Sequence, residues 1–189
     1  MNVVKTDIEG LLILEPRVFA DARGYFFESF SQRDFDAQVA PVLGHTEHFV
    51  QDNESMSSYG VVRGLHYQNP PYTQTKLVRC VLGAVLDVAV DIRRGSPTFG
   101  QHVAVELTAE NHRQFLVSKG FAHGFAVLSE TAVFQYKCDE FYPPEAASGI
   151  QLLDPALGID WHIPTDQAIM SEKDRVRACL ADTPLVFEY

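Results

Sequence analysis

Residues 76–92 have the sequence KLVRCVLGAVLDVAVDI, in which two apolar runs flank a Gly-Ala pair. Glycine readily adopts tight-turn backbone angles, so this pattern predicts a β-hairpin. In the second run every other residue from Leu86 to Ile92 is a large aliphatic, whereas Asp87 lies among small residues on the opposite face. This alternation predicts a half-buried strand.

Similar short extended segments, separated by turn residues, occur along most of the chain. Only residues 31–40 and parts of the last thirty residues have helical character, and Ser31 is a suitable helix cap. Many short strands at regular spacing are typical of a mainly β sandwich or barrel, and a double-sheet jelly roll with a few short helices fits best. The further predicted strands are 10–16, 25–30, 49–54, 61–68, 102–107, 113–117, 124–128, 132–137 and 150–153.

The composition bounds the class of protein. The chain has 189 residues, of which 46% are hydrophobic, and no linker or internal repeat divides it, so we expect a single domain over residues 1–189. The formal net charge of −10 argues against a broad basic surface that coats nucleic acid. A local basic pocket for a small anion remains compatible with this charge.

Several features predict a cytoplasmic protein with no membrane segment. The first residues lack the apolar run of a signal peptide, and the most apolar windows, 85–90 and 121–128, are too short to span a bilayer. Cys80, Cys138 and Cys179 have no CxxC spacing, which indicates reduced thiols rather than disulfides or a zinc site.

Basic residues are gathered in the stretch VVRGLHYQ, residues 61–68, and shortly after it at Lys76. Strands seldom carry such residues unless these face water or line a cavity, so the stretch indicates an anion held beside a proton-transfer site. Tyr136, His123 and Asp174 are further candidates in similar surroundings. Each also has a structural alternative, such as a core tyrosine, an edge-strand lysine or a solvated helical aspartate.

A metal site is the less favoured interpretation. Metal-binding β-barrels of the cupin type commonly begin their ligand set with two histidines in an HxH pair, whereas this chain has His66-Tyr67-Gln68. Two histidines without a nearby carboxylate at short spacing do not form a convincing ligand set. We therefore predict no metal, while a metal-dependent oxygenase or isomerase remains an alternative.

Nine motifs in a fixed order carry a resemblance to a known family. The chain closely resembles the dTDP-4-dehydrorhamnose 3,5-epimerases nearly from end to end. The motifs are DARGYFFE (21–28), QDNES (51–55), RGLHYQ (63–68), KLV (76–78), DVAVDIR (87–93), SPTFG (96–100), GFAHGF (120–125), YK (136–137) and SEKDR (171–175).

The resemblance implies a role for each matching residue. His66 matches the general base, Tyr136 the general acid, and Asp174 the carboxylate that orients the histidine. It further implies a cupin-type jelly roll, no cofactor, and a homodimer in which the N-terminal region of one subunit helps to complete the site of the other. The implied substrate-binding residues are Arg23, Glu28, Gln51, Asn53, Arg63, Lys76, His123 and Lys173.

The implied reaction converts dTDP-4-dehydro-6-deoxy-D-glucose to dTDP-4-dehydro-L-rhamnose in dTDP-L-rhamnose biosynthesis. The C4 ketone acidifies the protons on C3 and C5, so inversion needs a base, a group that stabilises the enolate, and an acid on the opposite face. Imidazole, a lysine cation and a phenol suit these tasks, and the chain has no Gly-rich dinucleotide motif. A C3-only or C5-only epimerase and a non-catalytic sugar-nucleotide-binding module remain alternatives.

The chain departs from the family pattern in one short segment. The family commonly has a glutamate three residues before the isoleucine of its Gly-Ile motif, where this chain has Ala147. Glu145 lies two residues earlier and is a possible substitute. The tryptophan usual after the isoleucine is replaced by Gln151. These changes affect the expected contacts with the nucleotide end of the substrate more than the residues expected to transfer protons.

Overall fold

The structure is a computed structural model that describes residues 1–189. It contains thirteen strands and only short helical segments. The strands are β1 (Asn2–Lys5), β2 (Leu11–Glu15), β3 (Phe19–Asp21), β4 (Gly24–Phe26), β5 (Gln51–Ser58), β6 (Val62–Gln68), β7 (Lys76–Leu82), β8 (Ala84–Asp91), β9 (His102–Thr108), β10 (Gln114–Val117), β11 (Phe121–Val127), β12 (Thr131–Cys138) and β13 (Ala147–Gly149). The helices are α1 (Gln32–Asp34), a π-helical turn (Phe35–Val39), α2 (Ala40–Leu43), α3 (Glu172–Arg175) and the 3₁₀ turns Pro144–Ala146, Pro155–Leu157, Thr165–Gln167 and Leu180–Asp182.

Eleven of the strands form two antiparallel sheets that pack face to face. The six-stranded sheet has the order β1-β2-β10-β7-β12-β5, and the five-stranded sheet has the order β13-β6-β11-β8-β9. Side chains from both sheets, among them Phe115, Phe125 and Phe134, form the buried core between them. The predicted mainly β, cupin-type jelly roll is therefore confirmed.

The outer face of each sheet is covered by a different part of the chain. The helical segment 32–43 packs Phe35 and Val39 against the six-stranded sheet. The irregular C-terminal segment packs Trp161, Leu185 and Phe187 against the five-stranded sheet. Burial of these large side chains stabilises the fold by roughly 1.5–3 kcal/mol each.

The hairpin predicted for residues 76–92 is wrong. β7 pairs with β10 and β12, whereas β8 pairs with β11 and β9 in the other sheet. Gly83 is the corner between the sheets, and a Cβ there would collide with the Thr131 carbonyl oxygen. Two apolar runs joined by a glycine fit a change of sheet as well as a hairpin, because both need one tight turn.

The half-buried strand predicted for the same region is also wrong. Residues 85–91 are all buried, because the C-terminal segment covers the face that carries Leu86 and Val88, while Val85 and Ala89 point between the sheets. The alternation itself is correct. It places Asp87 on the inter-sheet side, inside the protein.

Three other predicted elements differ in extent. The strand predicted for 25–30 is limited to the exposed β4, which pairs only with β3. The strand predicted for 150–153 is absent, and the preceding residues form β13 instead. The helix predicted for 31–40 is confirmed, with the Ser31 hydroxyl accepting a hydrogen bond from the Asp34 N–H, although its middle turn is π-helical.

Two glycines allow β6 and β11 to approach closely. A Cβ on Gly64 would lie 2.6 Å from the Gly124 Cα, and one on Gly124 would lie 2.5 Å from the Arg63 carbonyl oxygen. Any larger residue would force these strands apart. The contact fixes the register in which His66 and His123 lie opposite each other. No helix of the structure has the length and apolar character needed to cross a bilayer.

Candidate active site

A cavity of about 790 Å³ lies between the two sheets. One wall comes from β5, β7 and β12 of the six-stranded sheet, and the other from β6 and β11, with residues 169–177 at its edge. Nine of the eleven predicted site residues line it: Gln51, Asn53, Arg63, His66, Lys76, His123, Tyr136, Lys173 and Asp174.

Strand pairing explains why residues distant in sequence meet here. Asn53 on β5 lies opposite Tyr136 on β12, and His66 on β6 lies opposite His123 on β11. Because side chains alternate along each strand, the same pleat directs such cross-strand partners to one face. The two walls therefore present polar groups to a common space.

A hydrogen bond joins His66 to Asp174. The His66 Nε2 lies 2.7 Å from the Asp174 Oδ1, and the carboxylate is buried at the start of α3, where the Ser171 hydroxyl accepts from the Asp174 N–H. Burial opposes ionisation of Asp174, but the bonds with His66, Ser171 and Arg177 outweigh it and lower its pKa. A neutral imidazole that donates from Nε2 has its lone pair on Nδ1, where a proton can be accepted.

A second histidine–aspartate pair lies deeper in the cavity wall. The His123 Nε2 is 2.8 Å from the Oδ1 of Asp87, which is completely buried. Burial raises the pKa of Asp87, while the neighbouring His123 and Lys76 oppose this rise. Burial likewise lowers the pKa of Lys76, against the effect of Cys138 and Asp87. The Asp87 carboxylate of this pair therefore favours the charged form of Lys76 and opposes the effect of burial on its pKa.

The Tyr136 phenol is largely desolvated. Burial is the main cause that raises its pKa, with Cys138 and Tyr142 adding to the effect and Arg63 opposing it. Tyr136 therefore remains a protonated phenol near neutral pH, as a proton donor must be. Arg63 is held in place by two hydrogen bonds, 3.1 and 3.0 Å long, to the Ser57 hydroxyl.

Two predicted site residues lie outside the cavity. Arg23 is almost fully exposed and pairs with Asp21 at the tip of the β3–β4 hairpin. Glu28 lines a separate cavity of about 310 Å³ beside Phe19 and Phe26. Within one chain, these two residues do not meet the other nine.

Sequence reasoning missed several residues of the cavity wall. Arg177 and Tyr142 line the cavity, and Asp87 contacts it through His123. Asp87 was recognisable as a lone carboxylate in an apolar strand, but an irregular segment carries Arg177 and gives no periodic signal. Glu145 is exposed and outside the cavity, so the lining at this place is Ala147.

No group of three His, Cys, Asp or Glu side chains in the structure has a metal-binding arrangement. Within the motif His66-Tyr67-Gln68, the Gln68 amide is buried without a hydrogen-bond partner. His66 itself is paired with Asp174.

Comparison with known proteins identifies relatives of the whole chain. The family model for dTDP-4-dehydrorhamnose 3,5-epimerase matches residues 5–182. A dTDP-4-dehydrorhamnose 3,5-epimerase of Shigella flexneri is 53% identical over 92% of this chain and 93% of that protein. The crystal structure of a dTDP-6-deoxy-D-glucose-3,5-epimerase of Legionella pneumophila in complex with dTDP-4-keto-L-rhamnose is 49% identical, covers 100% of this chain and 98% of that chain, and has a TM-score of 0.92.

A relative with a narrower activity is also similar. ChmJ, a 3′-monoepimerase from Streptomyces bikiniensis in complex with dTDP-quinovose, is 36% identical over 94% of this chain and 87% of that chain, with a TM-score of 0.85. The fold is therefore shared by double and single epimerases.

The substitution Asp174→Asn is expected to reduce stability in a pH-dependent way. Because folding lowers the pKa of Asp174, its contribution is present above the unfolded-state pKa, near 4, and is lost as the pH falls through the folded-state value. We expect a loss on the order of 1–3 kcal/mol at pH 7 that shrinks below about pH 4. Denaturant unfolding of both proteins between pH 3 and 7 measures this difference.

Asp166→Asn is the matched control, because Asp166 is exposed and forms no side-chain ion pair. It should leave the free energy of unfolding nearly unchanged at every pH. A deficit in Asp174→Asn that stays constant from pH 7 to 3 would contradict the assignment of the stabilisation to the ionised carboxylate.

Proposed function

The chain belongs to the dTDP-4-dehydrorhamnose 3,5-epimerase family and is an epimerase of that activity, and we propose that His66, Tyr136 and Asp174 perform its proton transfers. The reaction converts dTDP-4-dehydro-6-deoxy-D-glucose to dTDP-4-dehydro-L-rhamnose in dTDP-L-rhamnose biosynthesis. One observation carries the proposal. His66 and Tyr136 line the same cavity from different sheets, so a sugar ring between the sheets has one of them on each side.

The order of proton transfers follows from the chemistry of the ketone. Removal of a proton next to the C4 carbonyl gives an enolate, and return of a proton to the opposite face inverts that carbon. His66 removes the proton and Tyr136, a protonated phenol, returns one from the other wall. His66 must then release its proton to solvent and Tyr136 must regain one from solvent, and repetition of the two transfers at the second carbon completes the double inversion.

Lys76 is the group best suited to stabilise the enolate. Its ammonium lies within the cavity on β7, where poor solvation strengthens its attraction for a developing negative charge. The pair of His123 and Asp87 lies beside it and supplies a compensating carboxylate.

Asp174 supports the base in two ways. Its hydrogen bond to Nε2 fixes the ring orientation, so that the lone pair is on Nδ1. Its negative charge also stabilises the imidazolium that forms when His66 accepts a proton. We assign the remaining polar residues to substrate binding, with Arg63 and Lys173 as cations for the diphosphate and Gln51 and Asn53 as hydrogen-bonding groups.

We also propose a homodimer with shared sites. Arg23 and Glu28 lie outside the cavity of their own chain, on or beside a two-stranded arm that exposes Phe19, Tyr25 and Phe26. Large exposed apolar side chains on such an arm favour contact with another surface. Docking of the arm on a second copy would bring both residues towards that copy's cavity.

Residues 1–189 act, we propose, as a single domain in the cytoplasm. The three cysteines are free thiols, which suits a reducing compartment. A C3-only epimerase is the second candidate, because the 3′-monoepimerase shares the fold at 36% identity. Heavy-water exchange separates the two activities: deuterium at both C3 and C5 indicates the double epimerase, and deuterium at C3 alone the single one.

Replacement of His66 with alanine should nearly abolish this exchange. We expect a loss on the order of 10²–10⁴-fold at both carbons, because His123, the other histidine on that wall, is bonded to the buried Asp87, while substrate affinity changes little. Mass spectrometry and NMR of the recovered sugar nucleotide measure the exchange, and calorimetry measures binding. Exchange at the parent rate in His66→Ala would remove His66 from the role of base.

Replacement of Tyr136 with phenylalanine separates proton removal from inversion. The variant should fold normally and still exchange deuterium into the substrate, because His66 can return a proton to the face from which it came. Product formation should fall by about 10²-fold or more. Inversion at the parent rate would mean that another group or water protonates the enolate.

Mixing two inactive variants tests the shared site. Arg23→Ala and His66→Ala proteins should each have low activity, but after subunit exchange half of the dimers are mixed, and each has one site with both residues intact. An equimolar mixture should therefore regain about a quarter of the parent activity. If Arg23 served its own chain's cavity, every site would carry one defect and mixing would restore nothing.

A further inference from the structure

Arg177 is a largely buried cation next to the His66–Asp174 pair. Its side chain is 12% exposed, and its Nε lies 3.4 Å from the same Asp174 oxygen that contacts His66. Because both nitrogens approach one oxygen, they are at most about 6 Å apart, and the carboxylate between them is buried. None of the proposed proton transfers uses this guanidinium.

The segment around Arg177 is held in place by the residue that follows the Gly149-Ile150 pair. The Gln151 side-chain amide donates to the carbonyl oxygens of Arg175 and Arg177, and the Gln151 N–H donates to the Ala178 carbonyl. Gln151 occupies the position where the family pattern has tryptophan. The glutamine amide has two N–H donors and can bond to two backbone carbonyls, whereas an indole has only one N–H.

The guanidinium also lies against the backbone at Gly149. A Cβ on this glycine would lie 2.9 Å from both the Cζ and the Nε of Arg177, so only glycine leaves room for the cation. Gly149 in turn pairs with His66 across the β13–β6 ladder. Arg177 is therefore fixed on two sides, by Asp174 and by the strand next to the histidine.

We propose that Arg177 is a positioning residue that holds Asp174 and opposes protonation of His66. A cation near His66 disfavours the imidazolium by repulsion, and it offsets part of the Asp174 charge that would stabilise the imidazolium. Both effects act in the same direction. The inference rests on the proposed role of His66 as the base.

Other charged groups around His66 act in the same cavity and stay unchanged in the test. Lys173 and Asp174 come from α3, His123 lies opposite on β11, and Arg63 is on the same strand. Lys76 and Tyr136 lie on the opposing wall. Unlike the cations Arg63, Lys76 and Lys173, Arg177 forms an ion pair with the Asp174 carboxylate.

The test replaces Arg177 with glutamine or methionine, which remove the charge, and with lysine, which retains it. In the substrate-free protein, NMR titration of the His66 imidazole, assigned with His66→Ala, should show a protonation midpoint about one pH unit higher in the uncharged variants. The lysine variant should remain close to the parent. Arg175→Gln is the matched control, because Arg175 is exposed on the same segment and lies outside the cavity lining.

The pH profile of kcat/KM gives a second readout. In Arg177→Gln the acidic limb should move to higher pH by the same amount, so activity falls up to about tenfold near pH 6 and recovers to the parent level at high pH. An unchanged imidazole midpoint in both uncharged variants would overturn the inference. So would a rise in KM at every pH, since Arg177 would then bind substrate instead.

The two proposals fail in different ways. A shift of the imidazole midpoint in the substrate-free protein supports the positioning role whatever the enzyme's rate. The role of His66 as the base is tested separately by exchange in His66→Ala. An altered midpoint together with unimpaired exchange in His66→Ala would retain the Arg177 effect and reject the base.

Discussion

The apolar outer face of the five-stranded sheet has to be covered, and this constraint also builds the site. Leu86, Val88 and Val90 would face water without the C-terminal segment, whose Trp161 and Phe187 pack onto them. The covering segment has little regular structure of its own, so its path is set by the surface beneath it. The segment lines one side of the cavity. It also places the Asp174 Oδ1 2.7 Å from the Nε2 of His66, which lies 108 positions earlier in the chain. The packing that stabilises the fold thus also brings together the two residues of the proposed proton-transfer pair.

Burial links the ionisable groups of the cavity to one another. Burial raises the pKa of Asp87 and lowers that of Lys76, yet each group favours the charged form of the other. At the opposite end the Asp174 carboxylate stays ionised because His66, Ser171 and Arg177 all bond to it. For an ionisable group in poorly solvated surroundings, the nearest charged and hydrogen-bonding partners decide which protonation state is favoured. For this reason the partners of a catalytic group are as informative as the group itself.

The strands and the direction of their side chains could be predicted from the sequence, whereas strand pairing could not. Alternation from Leu86 to Ile92 correctly separated the two faces of β8, but the same apolar pattern is compatible with a hairpin partner or with a change of sheet at Gly83. Nine candidate site residues meet in the cavity because motifs on regular strands carry most of them. Arg177 was missed because it lies in a segment without periodicity, and only the folded chain relates it to Asp174.

A two-layer β sandwich suits inversion of a ring carbon, because it offers two walls from different sheets. The proposed base, His66 on β6, belongs to the five-stranded sheet, and the proposed acid, Tyr136 on β12, belongs to the six-stranded sheet. Lys76 lies on β7, directly next to β12, so the proposed enolate stabiliser shares a wall with the proposed acid. In the proposed mechanism, the negative charge of the enolate is drawn towards the wall that returns the proton and away from the wall that removes one. The proposed base and acid thus belong to different sheets because β6 and β12 do, and burial keeps the Tyr136 phenol protonated on its wall.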